Sequence, residues 1–408
     1  MKALGMICGV GSMLIGAKRQ GYEIVGNIEW RQYYHTGTFE HNFPGSFMID
    51  RFEDLDQEKL QECQDLDLII GHTECGNFSN LRANKNNKID EGDKMDIPQF
   101  IEAVQRLRPK FFAMDNLPKS LIVADWAWYM EALPDYDIHF EWINNYGYGN
   151  VQKNRKRLFV IGSKRELGFY FIPGEFKHET SVLERISEIS PDAENNDNLC
   201  VDGELRGWAR YNFDEKYLEC SQDENRLTLK EFQAIIRDYP CNLTFPRINK
   251  KGEHKVRIGF SKINVDGPAL VLYGGGGLDT HFRSDTLMPF TIRERAKIQG
   301  CPDDFVFLPK GVNKQNKDYR NLIKQTGKFM PVEFCTFLTQ QIKDFLEGNR
   351  NEEDYTQKRL INPNNYVDQN KYDFCQMVGY SAQEKVCHFC GSKKYCELVK
   401  QKENGKNF

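Results

Sequence analysis

Cys75 lies in the segment Gly71-His72-Thr73-Glu74-Cys75-Gly76-Asn77-Phe78-Ser79, directly after an apolar run, Asp67–Ile70, that reads as a strand. Open α/β sheets carry their chemistry on loops beyond the carboxyl ends of parallel strands. A cysteine in that place is positioned to act as a nucleophile, although a lone cysteine is more often a small buried residue. Its surroundings favour chemistry. The run Phe111–Met114 ends in Asp115-Asn116-Leu117-Pro118, which brings a carboxylate to the same sheet edge. Gln152-Lys153-Asn154-Arg155-Lys156-Arg157 precedes another apolar run and adds guanidinium groups. Thiol, carboxylate and guanidinium together supply a nucleophile, an acid or base, and a fixed cation for developing negative charge.

A second constellation points to a nucleotide-like ligand. The first strand ends in Ile7-Cys8-Gly9-Val10-Gly11-Ser12, ahead of a helix, and such a glycine turn lets backbone approach a ligand closely. The next strand ends in Glu29-Trp30. A carboxylate roughly 20 residues past the glycines is placed to accept hydrogen bonds from ribose hydroxyls, and the indole to cover an adenine ring. Asp50, at the following strand end, is placed to read the adenine amino group.

These residues need a scaffold that gathers strand ends. Met1–Cys8, Glu23–Ile28, Asp67–Ile70, Phe111–Met114, His139–Ile143 and Leu158–Ile161 read as strands, with Gly16–Gln20, Gln57–Cys63 and Pro98–Leu107 as helices. The alternation predicts an α/β fold with a doubly wound, mostly parallel sheet. From about residue 164 the pattern gives way to polar sequence, with strand-like pieces at Val256–Phe260 and Ala269–Leu272 around Gly274–Gly277. Helical periodicity returns at Ile292–Ile298 and Val332–Leu346, and a charged linker follows Gly348.

Composition narrows the setting. The chain has 408 residues, 40% hydrophobic, and a net charge of −4, so nucleic-acid binding would rest on local basic patches, such as Lys153–Arg165 or Arg247–Arg257, and not on global charge. No apolar run is long enough for a membrane span, and the N-terminus has no signal-peptide pattern. A cytoplasmic protein, in a bacterial or phage-infected cell, is expected. Of twelve cysteines, eight are scattered singly, as in a reducing compartment. The other four form Cys375-x11-Cys387-x2-Cys390-x5-Cys396, a spacing that can enclose zinc or an iron–sulfur cluster.

In order and spacing, these segments resemble the cytosine-C5 DNA methyltransferases over nearly all of residues 1–163 and 288–345. Ile7 to Gly11 looks like their donor-binding motif, Gly71 to Ser79 the nucleophile loop, Asp115-Asn116-Leu117 the Glu-Asn-Val motif, and Gln152 to Arg157 the Gln-Arg-Arg motif. Thr291-Ile292-Arg293-Glu294-Arg295-Ala296-Lys297-Ile298-Gln299-Gly300-Cys301-Pro302-Asp303-Asp304-Phe305 is similar to the ninth motif, and Gln325-Thr326-Gly327-Lys328 to the tenth. The resemblance implies a Rossmann-like S-adenosylmethionine-dependent catalytic domain (1–164 and 288–347), an inserted target-recognition domain (165–287) and a linker with a Cys-rich tail (348–408). It implies that Cys75 adds to C6 of a cytosine flipped out of double-stranded DNA, that Asp115 holds or protonates N3, and that Arg155 or Arg157 binds the base carbonyl and orients phosphate and carboxyl groups. Ile7, Gly9, Gly11, Ser12, Glu29, Trp30, Asp50 and Lys328 would surround the donor. A monomer acting on DNA, as in restriction–modification, is expected. In the insert, Lys250, Lys251, Lys255 and Arg257 are candidate phosphate contacts.

Four positions depart from the family pattern. Glu74 replaces the proline before the nucleophile, and Asp115 is one methylene, roughly 1.5 Å, shorter than the family glutamate. Gln152 and Arg155 stand one residue further apart than usual, and Lys328 replaces an asparagine. Glu74 and Lys328 are read as a compensating ion pair, or as a device for an altered reaction. In the second case Lys328 would accept a carboxylated donor such as carboxy-S-adenosylmethionine, or Glu74 would help Asp115 reach a modified pyrimidine. Two further readings stay open, an RNA cytosine methyltransferase and a catalytically inactive relative that binds DNA as a regulator.

Overall fold

Apolar side chains on the central strands point alternately to two cores because helices cover both faces of the sheet. In the computed structural model, seven strands form one sheet: β1 (Lys2–Met6), β2 (Glu23–Ile28), β3 (Phe47–Ile49), β4 (Leu68–His72), β5 (Phe111–Asn116), β6 (Tyr136–Asn144) and β7 (Lys156–Lys164). Their order is β3-β2-β1-β4-β5-β7-β6. Contacts from β3 to β5 are parallel, whereas β7 runs antiparallel between β5 and β6. The doubly wound, mostly parallel sheet is therefore present. The structure describes residues 1–75, 91–117, 126–153, 155–169, 180–193, 228–248, 254–272, 281–310, 317–330 and 332–350, with 120, 124, 171 and 172.

The helices are α1 (Ser12–Arg19), α2 (Thr38–Asn42), α3 (Gln57–Glu62), α4 (Glu91–Leu107), α5 (Trp126–Ala132), α6 (Val182–Ser187), α7 (Leu229–Arg237), α8 (Ile292–Ile298), α9 (Lys317–Gly327) and α10 (Val332–Leu346). Phe111 and Ala113 of β5 join the core beneath α1 and α10, while Phe112 and Met114 join the opposite core with α4. Strands β4 and β7 divide in the same way, Ile70 and Ile161 to one side and Ile69 and Val160 to the other. Gly16 is what allows α1 to lie on α10, since a Cβ there would stand 2.6 Å from the Cys335 backbone. Sequence from the far end of the chain thus completes the core of the first 163 residues.

Between these parts sits a small sheet of β8 (Thr244–Ile248), β9 (His254–Ile263) and β10 (His281–Arg283), in the order β10-β9-β8. It shares a third core with α6 and α8, through Val182, Ile186, Ile263, Val265, Phe290 and Ile298. The expected strand at Ala269–Leu272 is reduced to one bridge between Gln152 and Ala269. No helix among the described residues is long and apolar enough to cross a membrane.

Candidate active site

Strands β4 and β5 end side by side, with His72 in register with Asp115. Neighbours at one level of a parallel ladder project from the same face, so the pairing sets the two side chains together. His72 Nδ1 lies 2.6 Å from Asp115 Oδ2. From β7, Arg157 donates through Nε to Asp115 Oδ1 (3.0 Å) and through Nη2 to Oδ2 (2.7 Å), a forked contact. Cys75, half-buried three residues beyond His72, places Sγ 3.7 Å from His72 Nε2. Asn116 Nδ2 donates to Thr73 Oγ1 at 2.6 Å and ties the nucleophile loop to β5.

Charge in this cluster favours a thiolate. Burial pushes the Cys75 thiol up, but the Arg157 guanidinium and then His72 outweigh it and bring the group down to about 6. Burial would also raise the Asp115 carboxyl, yet Arg157 and His72 hold it below its ordinary value. Asp115 is fully buried, and both of its oxygens are engaged. The structure therefore brings Cys75, Asp115 and Arg157 together as expected, and adds His72 between Asp115 and the sulfur.

Glu74 is the node of a second charged network. Its Oε2 accepts from Lys328 Nζ at 2.6 Å and from Arg31 Nη1 at 2.9 Å, and Lys328 Nζ also donates to Tyr33 Oη at 2.9 Å. The compensating pair expected of Glu74 and Lys328 is thus formed, with Arg31 as a third member. Burial raises the Glu74 carboxyl, but Lys328 and Arg31 bring it down from 4.5 to about 2. A carboxylate depressed on folding contributes stability that is present above its unfolded pKa and is lost as pH falls through the folded one. About 3 kcal/mol should accordingly disappear between pH 4.5 and 2. Melting curves of Glu74→Gln should be flatter than wild type across that window and lie below it at neutral pH; parallel curves would contradict the assignment.

The donor turn has the expected backbone. Gly11 adopts φ 91° ahead of α1, and a side chain there would also meet the Phe43 ring at 2.5 Å. Ser12 Oγ accepts from Met330 N at 3.1 Å, joining the first motif to the last. Trp30 is 39% exposed at the end of β2, its Nε1 donating to Asp96 Oδ1 at 3.0 Å, and Asp50 is exposed beyond β3. These are the two residues expected to meet an adenine face and its amino group, and Asp50 Oδ2 accepts from Gln32 Nε2 at 2.7 Å. Glu29 is different. Its carboxylate is fully buried and accepts from Gly9 N, from Arg31 N and from Arg31 Nε and Nη2, which leaves no oxygen free for a ribose. Arg31 also donates to the Ile7 carbonyl at 3.3 Å.

Arg155 is buried but does not join the Cys75 cluster by hydrogen bond. It donates to Phe329 O (2.7 Å), Leu272 O (3.2 Å) and Gln152 Oε1 (3.4 Å), bracing the insert against the last motif. Its Nε lacks a partner among the described residues, and burial followed by Arg157 lowers it to about 9. Gly76 to Ser79, Lys250, Lys251, Gly274 to Gly277 and the four tail cysteines lie outside the described residues, while Lys255 and Arg257 fall on β9. Among the described residues no cluster suited to a metal ion occurs. The residues missed at the level of sequence are His72 and Arg31; the first had a signal, a histidine three positions before the cysteine at a strand end.

Comparison with known proteins agrees with this layout. The sequence model described as C-5 cytosine-specific DNA methylase matches residues 1–344. Type II methyltransferase M.NgoPII of Neisseria gonorrhoeae is 25% identical over 373 residues, covering 85% of this chain and 96% of its own. Type II methyltransferase M.MthTI of Methanothermobacter thermautotrophicus is 24% identical over 366 residues, covering 85% and 98%. A prophage-encoded E. coli protein described as a DNA modification methyltransferase shares the fold at a TM-score of 0.59, with 19% identity over 85% of this chain and 99% of that one. Spodoptera frugiperda DNMT2 does so at 0.52, with 15% identity over 84% and 99%. By its match over most of its length, the chain belongs to the C-5 cytosine-specific DNA methylase family.

Proposed function

We propose that this enzyme transfers a methyl group from S-adenosylmethionine to C5 of cytosine in double-stranded DNA, with Cys75 as covalent nucleophile. The observation that carries the reading is the placement of Cys75 Sγ against His72, beside the Arg157–Asp115 fork, in a family of cytosine methylases. Cytosine C5 is a poor nucleophile until a group adds at C6. The Cys75 thiolate forms the S–C6 bond as the C5=C6 π bond opens, which makes C5 nucleophilic; after transfer water takes the C5 proton, the pair of that C–H bond rebuilds C5=C6, and the sulfur departs with the S–C6 pair. A ring carbon inside a stacked duplex is out of reach, so the base is flipped out. When bound, S-adenosylmethionine supplies the electrophilic methyl carbon. The glycine turn Gly9–Gly11, Trp30 and Asp50 would hold it, with Glu29 available to a ribose only if Arg31 yields a hydrogen bond.

The Lys328 charge is matched by Glu74, which favours the ordinary donor over a carboxylated one. Residues 165–287 are assigned to target recognition, with Lys255 and Arg257, which fall on β9, as candidate phosphate contacts. The likeness to type II methyltransferases of Neisseria and Methanothermobacter supports DNA modification within restriction–modification; action in a prokaryotic cytoplasm and as a monomer is part of the same proposal. Mass spectrometry of nucleosides from DNA of cells expressing the protein should reveal 5-methylcytosine absent from vector controls. A 5-carboxymethyl base would instead implicate the carboxylated donor, a methylated tRNA cytosine would favour the RNA reading, and no new base would favour the non-catalytic one.

The tail is a separate proposal, supported by spacing alone. Cys375, Cys387, Cys390 and Cys396 offer four thiolates to zinc or to an iron–sulfur cluster. A brown protein absorbing near 400 nm would identify iron and sulfur, a colourless one with about one equivalent of zinc the structural metal; stoichiometric absence of both sinks the idea.

A further inference from the structure

We propose that His72 is a catalytic residue, the base that takes the Cys75 thiol proton at Nε2, with Asp115 as the positioning residue that holds its Nδ1–H. The proposal rests on the reading of Cys75 as the nucleophile. Its basis is a chain of contacts that crosses two strands: Asp115 Oδ2 to His72 Nδ1 at 2.6 Å, and His72 Nε2 to Cys75 Sγ at 3.7 Å. A carboxylate oxygen so close to a ring nitrogen requires a proton between them, because two lone pairs would repel. Asp115 therefore fixes the tautomer, and in the neutral ring the lone pair belongs to Nε2, the nitrogen that faces sulfur.

The neighbours leave this task to His72. Arg157 stands 3.0 Å from Nδ1 and 3.4 Å from Nε2, and its guanidinium, though able to steady a thiolate, has no lone pair with which to accept a proton. Asp115 is sealed behind the ring by Arg157 and His72. Among the described residues, the carboxylates that remain are Glu74, held by Lys328 and Arg31, and Asp96, which accepts from the Glu74 backbone N–H and from Trp30 Nε1. The proton balance closes. The thiol proton passes to Nε2, leaving an imidazolium beside a thiolate; the sulfur pair then forms the bond to ring carbon, and on elimination returns to sulfur beside the same imidazolium. The charges on each face of the ring agree with this: burial and Arg157 oppose protonation of His72, Asp115 and the Cys75 thiolate favour it, and the net direction is upward. The short side chain of Asp115 belongs to the same arrangement, since it leaves room for the ring.

The test is the pH dependence of Cys75 alkylation by iodoacetamide, read on the Cys75 peptide by mass spectrometry and run without DNA or donor. Wild type should show an inflection near 6. His72→Gln should move it up by about one unit or more, slowing alkylation at pH 6.5 several-fold, with melting temperature and DNA retention kept. An unmoved inflection in folded His72→Gln overturns the proposal. Should that variant not fold, nitrogen-15 NMR titration of the imidazole in Cys75→Ser replaces it: the His72 pKa should drop once the thiolate is gone, and an unchanged value overturns the proposal equally. A normal shift with no methylated base in the nucleoside analysis would count against the cytosine reading alone.

Discussion

Cys75→Ser should abolish methyl transfer, by about four orders of magnitude or more, while leaving the melting temperature within a few degrees. Serine keeps the shape of a half-buried side chain but not its acidity. Arg157 and His72 bring a thiol down to about 6, so most of Cys75 is thiolate at neutral pH. The same two cations acting on an aliphatic hydroxyl leave it protonated, and a neutral hydroxyl is a poor partner for C6. The measurement with the clearest outcome uses DNA containing 5-fluorocytosine. Fluorine at C5 cannot leave as a proton, so elimination stalls and the protein stays attached. Wild type should migrate as a protein–DNA adduct on denaturing gels and the variant should not. If wild type never forms the adduct with donor present, cysteine addition to the base is ruled out, and the chain is reduced to a DNA-gripping relative.

What was legible in the sequence follows from which information is local. Strand β2 and helices α8 and α10 coincide with their periodicities, and β5 extends the expected run by only two residues, because each carries its pattern within one segment. The motif residues were legible for the same reason: Cys75 and Asp115 follow apolar runs on parallel strands, and Arg157 precedes one on antiparallel β7, so all three come to one sheet edge. Other elements were hidden by brevity. Helix α7 is announced by a capping box from Thr228 to Glu231, yet spans only Leu229–Arg237, and β3 has three residues. The electrostatics were hidden by distance along the chain. Arg31 neutralises Glu29 nearby but Glu74 far away, and Lys328 reaches Glu74 only because α9 brings the last motif back to the sheet edge. Charges at Glu74 and Lys328 suggest a pair from their chemistry, whereas nothing local marks Arg31 as the third member.

Replacing Arg157 with alanine should be the most damaging single change to the site as a structure. Its fork is the main counter-charge of Asp115, a carboxylate with no exposure to solvent. Removing one partner of a buried pair strands the other, which costs about 3–5 kcal/mol, whereas a surface pair would cost a fraction of that. For a domain of this size the loss corresponds to a melting temperature roughly 10 °C lower. Catalysis should suffer through a separate route. Arg157 is the leading influence that lowers the Cys75 thiol, so its loss lets burial dominate and pushes the thiol back up. At neutral pH that removes most of the thiolate, and methyl transfer should fall about 100-fold or more. Raising the pH should then recover part of the alanine variant's rate, because hydroxide restores the thiolate that the guanidinium no longer protects. Arg157→Lys should retain a cation but lose one arm of the fork, giving intermediate stability and rate. Equal melting temperatures for wild type and the alanine variant would show that Asp115 is held by some other group, and the charge assignment around Cys75 would have to be redrawn.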